Sequence, residues 1–197
     1  MPAPFRAHRT LPARPGPALL VLVTAAVLFP VIGCGGPDDA GRSGGATDGS
    51  GTPVESNGTV RRVVDGDTLV VDLDGEDERV RLVGIDTPES VKPNSPVECF
   101  GKEAAAHTAQ LLPKGTRVRV ELDAEPRDRY GRLLGYVHRA DDGLFVNLAL
   151  ARDGYANQLT IPPNVAYEPE FRAAVREARA AGAGLWSACR GNDPFAR

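Results

Sequence analysis

The stretch TVRRVVDGDTLVVDLDGEDERVRLVGIDTPE, residues 59–89, consists of short β-branched and aliphatic runs that end in carboxylates. Val60, Val63 and Val64, then residues 69–73, then residues 80–85 read as three strands joined by turns. Asp65, Asp67, Asp86 and Glu89 stand at the ends of these runs, and Arg81 lies inside the third. A hairpin brings residues distant in sequence within a side chain's reach, so acids at strand ends can converge on one point. The pattern therefore suggests a metal site with an arginine beside it. Asp-Gly is also the commonest hairpin turn signal, and Asp and Thr favour turns through local hydrogen bonds alone. Asp65-Gly66 taken by itself fits a plain turn equally well.

N-terminal to this stretch the composition changes twice. Residues 1–33 carry Arg6, Arg9 and Arg14 and no acids, then an apolar run at 18–29 that is broken by Pro30. This reads as an export signal, not a fold element. Gly33 before Cys34 is what a lipoprotein-type signal peptidase needs beside the thiol that receives lipid, and Val31-Ile32-Gly33-Cys34 resembles a bacterial lipobox. Cys34 is thus the expected lipidation site, and the rest of the chain is expected to be exported and held at the membrane or cell surface by a lipid anchor. Residues 34–58 are rich in Gly, Ser, Asp and Thr and cannot bury enough surface to offset chain entropy, so they read as a flexible tether. The domain proper is expected over 59–190, with a tail at 191–197.

C-terminal to the opening stretch, residues 102–112 are Ala-rich with strong helix propensity and end at Pro113 and Gly115. His107 on that helix reads as a solvated side chain. Residues 116–123 alternate, with Val118, Val120 and Leu122 on one face, and predict a half-buried strand. A further strand is expected at 133–138, turned by Asp141-Asp142-Gly143. Asn147 is expected to cap a short helix that runs to Asp153 and stops at Gly154. A last helix beginning near Pro169 places Phe171, Ala174, Val175 and Ala178 on one stripe, which reads as core. Gly182 and Gly184 end it, and Leu185-Trp186 is expected to tuck back onto the domain.

The chain has 197 residues and 42% hydrophobic content, enough for one domain with a real core once the N-terminal segments are set aside. Its formal charge is -3, and setting aside the first 33 residues with their three arginines makes it -6. This net charge argues against tight nucleic-acid binding by bulk electrostatics, and such a partner needs local arginines or a bridging cation. Three cysteines are too few for a disulfide scaffold, and their spacings fit no zinc ribbon or finger.

Four motifs in order carry a family resemblance: Val64-Asp65-Gly66-Asp67-Thr68, Arg81-Leu82-Val83-Gly84-Ile85-Asp86-Thr87-Pro88-Glu89, Asp128-Arg129-Tyr130-Gly131-Arg132 and Gly184-Leu185-Trp186. Together they resemble the staphylococcal nuclease (thermonuclease) family over residues 59–188. The resemblance implies a mainly β fold with α, a five-stranded OB-type β-barrel plus three helices. It implies a monomeric, calcium-dependent endonuclease that hydrolyses phosphodiester bonds of DNA and RNA and leaves 3′-phosphate ends. It puts Ca2+ on the carboxylates of Asp67 and Asp86 and the backbone carbonyl of Thr87, with Asp65 in support, and makes Arg81, Glu89 and Arg132 catalytic. Hard cations take oxygen ligands, and guanidinium forks suit the charge of a phosphoryl group under attack, so the residue types agree with those roles.

One departure concerns substrate contacts. The family's best-known member has substrate-contacting tyrosines just before its last helix, where this chain reads Asn157-Gln158-Leu159-Thr160-Ile161-Pro162-Pro163, and Tyr155 and Tyr167 are the candidate substitutes. Cys99 precedes the first helix and Cys189 follows Trp186, both in an exported domain, so they are expected to form a disulfide. The competing functional classes are a non-catalytic OB-fold nucleic-acid-binding module and a calcium-binding surface lipoprotein.

Overall fold

The computed structural model describes residues 52–91, 96–191 and 194–195. The expected export signal, the lipidation site Cys34 and most of the tether lie outside the described residues. In chain order the elements are β1 (Gly58–Asp65), β2 (Thr68–Leu73), β3 (Glu76–Leu82), β4 (Gly84–Asp86), α1 (Gly101–Leu111), β5 (Arg117–Arg127), β6 (Leu133–Arg139), α2 (Val146–Arg152), β7 (Asn157–Leu159), α3 (Glu168–Ala181) and α4 (Leu185–Ala188).

Five strands close into a barrel in the order β1-β2-β3-β6-β5, and β1 pairs with β5 to seal it. All neighbours are antiparallel except β3 and β6, which run parallel with Arg81 opposite Leu134. Val60, Leu69, Val71, Val80, Leu82, Val118 and Val137 are fully buried, as the alternation in their strands requires. Closure leaves no barrel edge to pair with another chain. The OB-type barrel expected from sequence is thus the observed fold. Among the described residues its helices number three long ones plus the single turn α4, where Leu185 is buried as expected.

The structure corrects several sequence expectations. The apolar run 80–85 is not one strand. It breaks at Val83, because Gly84 adopts φ +83° and turns β4 out of the barrel to pair with β7, which places Asp86 opposite Asn157. Leu122 is 46% exposed despite its place in the alternation, since the β5–β6 register shifts between Leu122 and Arg127. Asn147 does not cap α2: Phe145 holds the N-cap position. The Asn147 side chain is instead fully buried, accepting the Val137 N–H at 3.0 Å and donating to the carbonyls of Val83 at 2.9 Å and Gly135 at 3.2 Å. Contacts with the barrel also begin before residue 59, because the Val54 N–H donates to the Ala140 carbonyl and the Asn57 side chain bonds both backbone groups of Val120.

The α3 stripe of Phe171, Ala174, Val175 and Ala178 is buried as expected. Phe171 lies so close to the Gly84 corner that a Cβ on Gly84 would stand 2.2 Å from its ring. Cys99 and Cys189, 90 residues apart, form the expected disulfide. A loop of that length corresponds to about 4 kcal/mol in the chain-entropy model. The Gly84→Ala substitution is expected to destabilise the domain by about 2–4 kcal/mol, from left-handed strain plus overlap with Phe171. Urea unfolding checks this, and a loss below about 0.5 kcal/mol contradicts it.

Candidate active site

Asp67 occupies the two-residue turn between β1 and β2, and three other elements hold that turn in place. Its carbonyl accepts the Leu82 N–H at 2.8 Å, from the end of β3. The neighbouring Gly66 carbonyl accepts the Thr108 hydroxyl of α1 at 2.6 Å. Gly66 is required by contact, because a Cβ there would lie 2.5 Å from Thr87 Oγ1. The Asp67 carboxylate is fixed in turn: Oδ2 accepts the Thr87 N–H and hydroxyl, each at 3.1 Å, and Oδ1 accepts the Thr68 hydroxyl at 3.1 Å. The first acidic turn is thereby locked against the segment that carries Asp86 and Thr87.

Arg81 joins the two. It sits on β3 opposite Thr68 with 13% of its side chain exposed. Its Nη1 donates to the carbonyls of Leu82 at 2.7 Å and Ile85 at 2.9 Å, wrapping the Gly84 corner around the guanidinium. Its Nη2 donates to Asp86 Oδ1 at 3.0 Å and lies 3.1 Å from Asp67 Oδ2. One half-buried guanidinium thus bridges both expected cation ligands.

Arg132 arrives from the neighbouring strand, on a tight turn just before β6. The Asp128 carboxylate accepts the backbone N–H of Tyr130 at 2.9 Å and of Arg132 at 3.0 Å, and also the Arg132 Nε at 2.7 Å. Gly131 supplies the left-handed residue with φ +79°. Burial alone would raise the Asp128 pKa, but these hydrogen bonds outweigh it and hold the carboxyl below the usual range. The turn chemistry of residues 128–132 is therefore what aims the arginine. Glu89 follows β4 in a coil, with Oε1 accepting the Val91 N–H at 3.0 Å. Beside it, burial pushes the Asp65 carboxyl up and the Glu89 carboxylate adds to this, against the hydrogen bond that Ser90 Oγ donates at 2.5 Å.

All seven residues expected at the site line one polar cleft of about 240 Å³, joined there by Thr68 and Glu98. Five carboxylates (Asp65, Asp67, Asp86, Glu89 and Glu98) face two guanidiniums in that space. Such a cleft repels a polyanion unless a cation enters with it. Among the described residues no three Asp, Glu, His or Cys side chains form a closed metal cage. Two carboxylates and a carbonyl leave positions for water and a phosphate oxygen, so the donor set fits a hard divalent cation.

Arg81 and Arg132 also line a second, mostly apolar cleft of about 500 Å³, with Leu82, Leu134, Leu159, Ile161 and Tyr130 among its walls. Leu159 and Ile161 thus occupy the position where tyrosines were missed in the sequence. Neither substitute reaches it. Tyr155 stacks on His107 with ring centroids 3.9 Å apart, and Tyr167 packs edge-on against Tyr136 at 4.7 Å. His107 is not simply solvated either, since its Nε2 pairs with Asp153 at 2.8 Å. The aromatic residue at the cleft is Tyr130, 68% exposed, with the Arg129 guanidinium 4.8 Å from its ring centroid. Glu98 was missed as well. Its only sequence signal is a carboxylate just ahead of a helix start, nine residues after Glu89.

Residues 79–188 match the family profile described as staphylococcal nuclease homologue, a span that includes Arg81, Asp86, Glu89 and Arg132. The chain is 47% identical over 127 residues to a protein named Thermonuclease from Staphylococcus intermedius, covering 64% of this chain and 74% of that protein. It is 41% identical over 128 residues to the Thermonuclease of Staphylococcus hyicus, covering 65% and 74%. It is 36% identical over 146 residues to Endonuclease YncB of Bacillus subtilis (strain 168), covering 70% and 68%. With a profile matched over more than half its length and these identities, the chain belongs to the staphylococcal nuclease homologue family.

Proposed function

We propose that the chain is a calcium-dependent endonuclease that hydrolyses phosphodiester bonds of DNA and RNA and leaves 3′-phosphate ends. The observation that carries this reading is the Arg81 guanidinium bridging Asp67 and Asp86, in a cleft that Arg132 and Glu89 also line. Asp67, Asp86 and the Thr87 carbonyl are the groups that would hold the cation. When bound there, it supplies charge neutralisation and Lewis-acid polarisation of a phosphoryl oxygen.

The chain's own residues account for the remaining steps. Arg81 and Arg132 present planar donor forks, and they bind the phosphoryl oxygens as negative charge accumulates there. The Glu89 carboxylate orients the attacking water and takes its proton. The water oxygen bonds to phosphorus, the bond from phosphorus to the 5′ oxygen breaks, and the departing 5′ oxygen takes a proton from solvent water while Glu89 returns its own to solvent, which leaves phosphate on the 3′ end. The apolar cleft receives the adjoining sugar and base against Leu159, Ile161 and the exposed ring of Tyr130. Contact of this kind reads the face of a base and not its edge, which suits a broad choice of substrate.

The lipobox-like Val31-Ile32-Gly33-Cys34 supports a companion proposal, that the domain acts outside the cytoplasm as a lipid-anchored monomer. In cells making the full chain, Cys34→Ser is expected to move the protein from the membrane fraction to the soluble fraction, as followed by immunoblot. Unchanged membrane retention would reject the lipid anchor.

Digestion of plasmid DNA and of RNA by the full chain, with calcium and then with excess chelator, tests the activity. Cleavage of both with calcium and its loss in chelator is the expected result, and equal, negligible cleavage in both conditions would reject the nuclease reading. Arg81→Ala and Arg132→Ala are each expected to lower kcat by about 10²-fold or more through lost transition-state stabilisation. A near-wild-type rate in either variant removes that arginine from the chemistry.

A further inference from the structure

Glu89 lies in the coil between β4 and α1, outside any helix or strand, so its placement depends on contacts made across the loop. Glu98 makes them from both sides. Its Oε2 accepts the Glu89 N–H at 2.9 Å, and its own backbone N–H donates to the Glu89 carbonyl at 2.9 Å. The Glu98 carbonyl in turn accepts the Gly101 N–H at 3.0 Å, at the start of α1. Gly101 is packed so tightly on the same peptide that a Cβ there would stand 2.5 Å from the Glu89 carbonyl oxygen.

Between these anchor points the chain is fastened twice more. Phe100 adopts φ +70°, a left-handed conformation that bulky residues avoid, with its ring centroid 5.1 Å from that of Tyr155. Cys99 is bonded to Cys189, which is buried just after α4. The residue that grips Glu89 is therefore covalently tied, through its neighbour, to the far end of the domain.

We propose that Glu98 is a positioning residue for Glu89, and that the Cys99–Cys189 disulfide holds Glu98 in register for that task. The proposal rests on the nuclease reading, in which Glu89 acts on the water. Its physical basis is that a carboxylate must meet an attacking water within a few tenths of an ångström, and a backbone clamp sets that distance without touching the substrate. The Glu98 carboxylate also faces the polar cleft, so the competing roles are cation ligand and proton acceptor.

Gln keeps an acceptor oxygen for the Glu89 N–H and removes the charge, which separates these roles. In the full chain, Glu98→Ala is expected to lower kcat by about 10-fold to 100-fold, with KM and the half-saturating calcium concentration within about twofold of wild type. Glu98→Gln is expected to restore most of kcat. Hydrogen exchange of the peptide containing Glu89, followed by mass spectrometry, should accelerate in Glu98→Ala and not in Glu98→Gln. Dithiothreitol, itself oxidised to its cyclic disulfide as two electrons and two protons pass to Cys99 and Cys189, should slow wild type and speed the same exchange. It should do little more to Glu98→Ala, because the two lesions act on one clamp.

A normal kcat in Glu98→Ala overturns the proposal. So does Glu98→Gln as damaging as Glu98→Ala, or a calcium requirement raised in either variant, since these assign the Glu98 charge to the cation or the proton. Full, additive loss on reducing Glu98→Ala overturns the role of the disulfide. If the unaltered chain does not cleave with calcium, it is the nuclease reading that falls, and the exchange comparison still decides whether Glu98 holds the Glu89 amide.

Discussion

The guanidinium of Arg81 is the interaction on which both the fold and the site depend. A charge with only 13% of its side chain exposed is costly unless it is paired and hydrogen-bonded, and here two carbonyls and two carboxylates meet it. The carbonyls belong to Leu82 and Ile85, which bracket the Gly84 reversal, so the chain leaves the barrel by folding around the charge. The carboxylates belong to Asp67 and Asp86, which would repel one another at that separation without it. Corner and charged site are one object. A change at Arg81 therefore acts on stability and on chemistry together, whereas Arg132, braced by Asp128 on its own turn, is separable from the barrel.

The same economy places the remaining groups. The Asp67 turn is held by Leu82 from β3, Thr108 from α1 and Thr87 from the segment after β4, so no single element carries the site. Glu89 has the least local support of the acids, and correspondingly the most elaborate external clamp. Side chains on rigid strands need few second contacts, while a catalytic group on a coil needs its backbone fixed from elsewhere. The disulfide gives that clamp a covalent root at Cys189, near the C-terminal end of the domain.

Much of this was legible in the sequence because it rests on short-range rules. Alternation in β5, the buried stripe of α3 and the acids at strand ends follow from periodicity and turn chemistry. What was not legible involves through-space pairing. The three-residue strands β4 and β7 are too short to show a period, and the run 80–85 hides its break because Val83 and Ile85 are apolar on either side of Gly84. Asn147 carries the same signal as a helix cap and as a buried polar residue, and only the three backbone groups it bonds decide between them. Tyr155 and Tyr167 were plausible substitutes by their nearness in sequence to Leu159 and Ile161, yet each ring is packed in an aromatic cluster, Tyr155 with Phe100 and His107 and Tyr167 with Tyr136 and Phe145. Glu98 is an ordinary acid until Glu89 is seen beside it.

The charge balance constrains how such a protein engages a polyanion. A chain with formal charge -3 and five carboxylates in the cleft offers no attractive field at long range, so in the proposed function capture falls to short-range contacts and to the cation. The two clefts divide that work, because Arg81 and Arg132 line both. In the proposed reaction phosphate is held at the polar end, where charge can develop, and sugar and base lie at the apolar end, where Leu159 and Ile161 offer surface without donors or acceptors. An apolar wall costs little affinity when the base changes, since no buried polar group is left unpaired by the wrong one. In the proposed reaction, loss of the expected tyrosines therefore lowers affinity for every base alike, and leaves the arrangement of Arg81, Glu89 and Arg132 around the phosphate as it is.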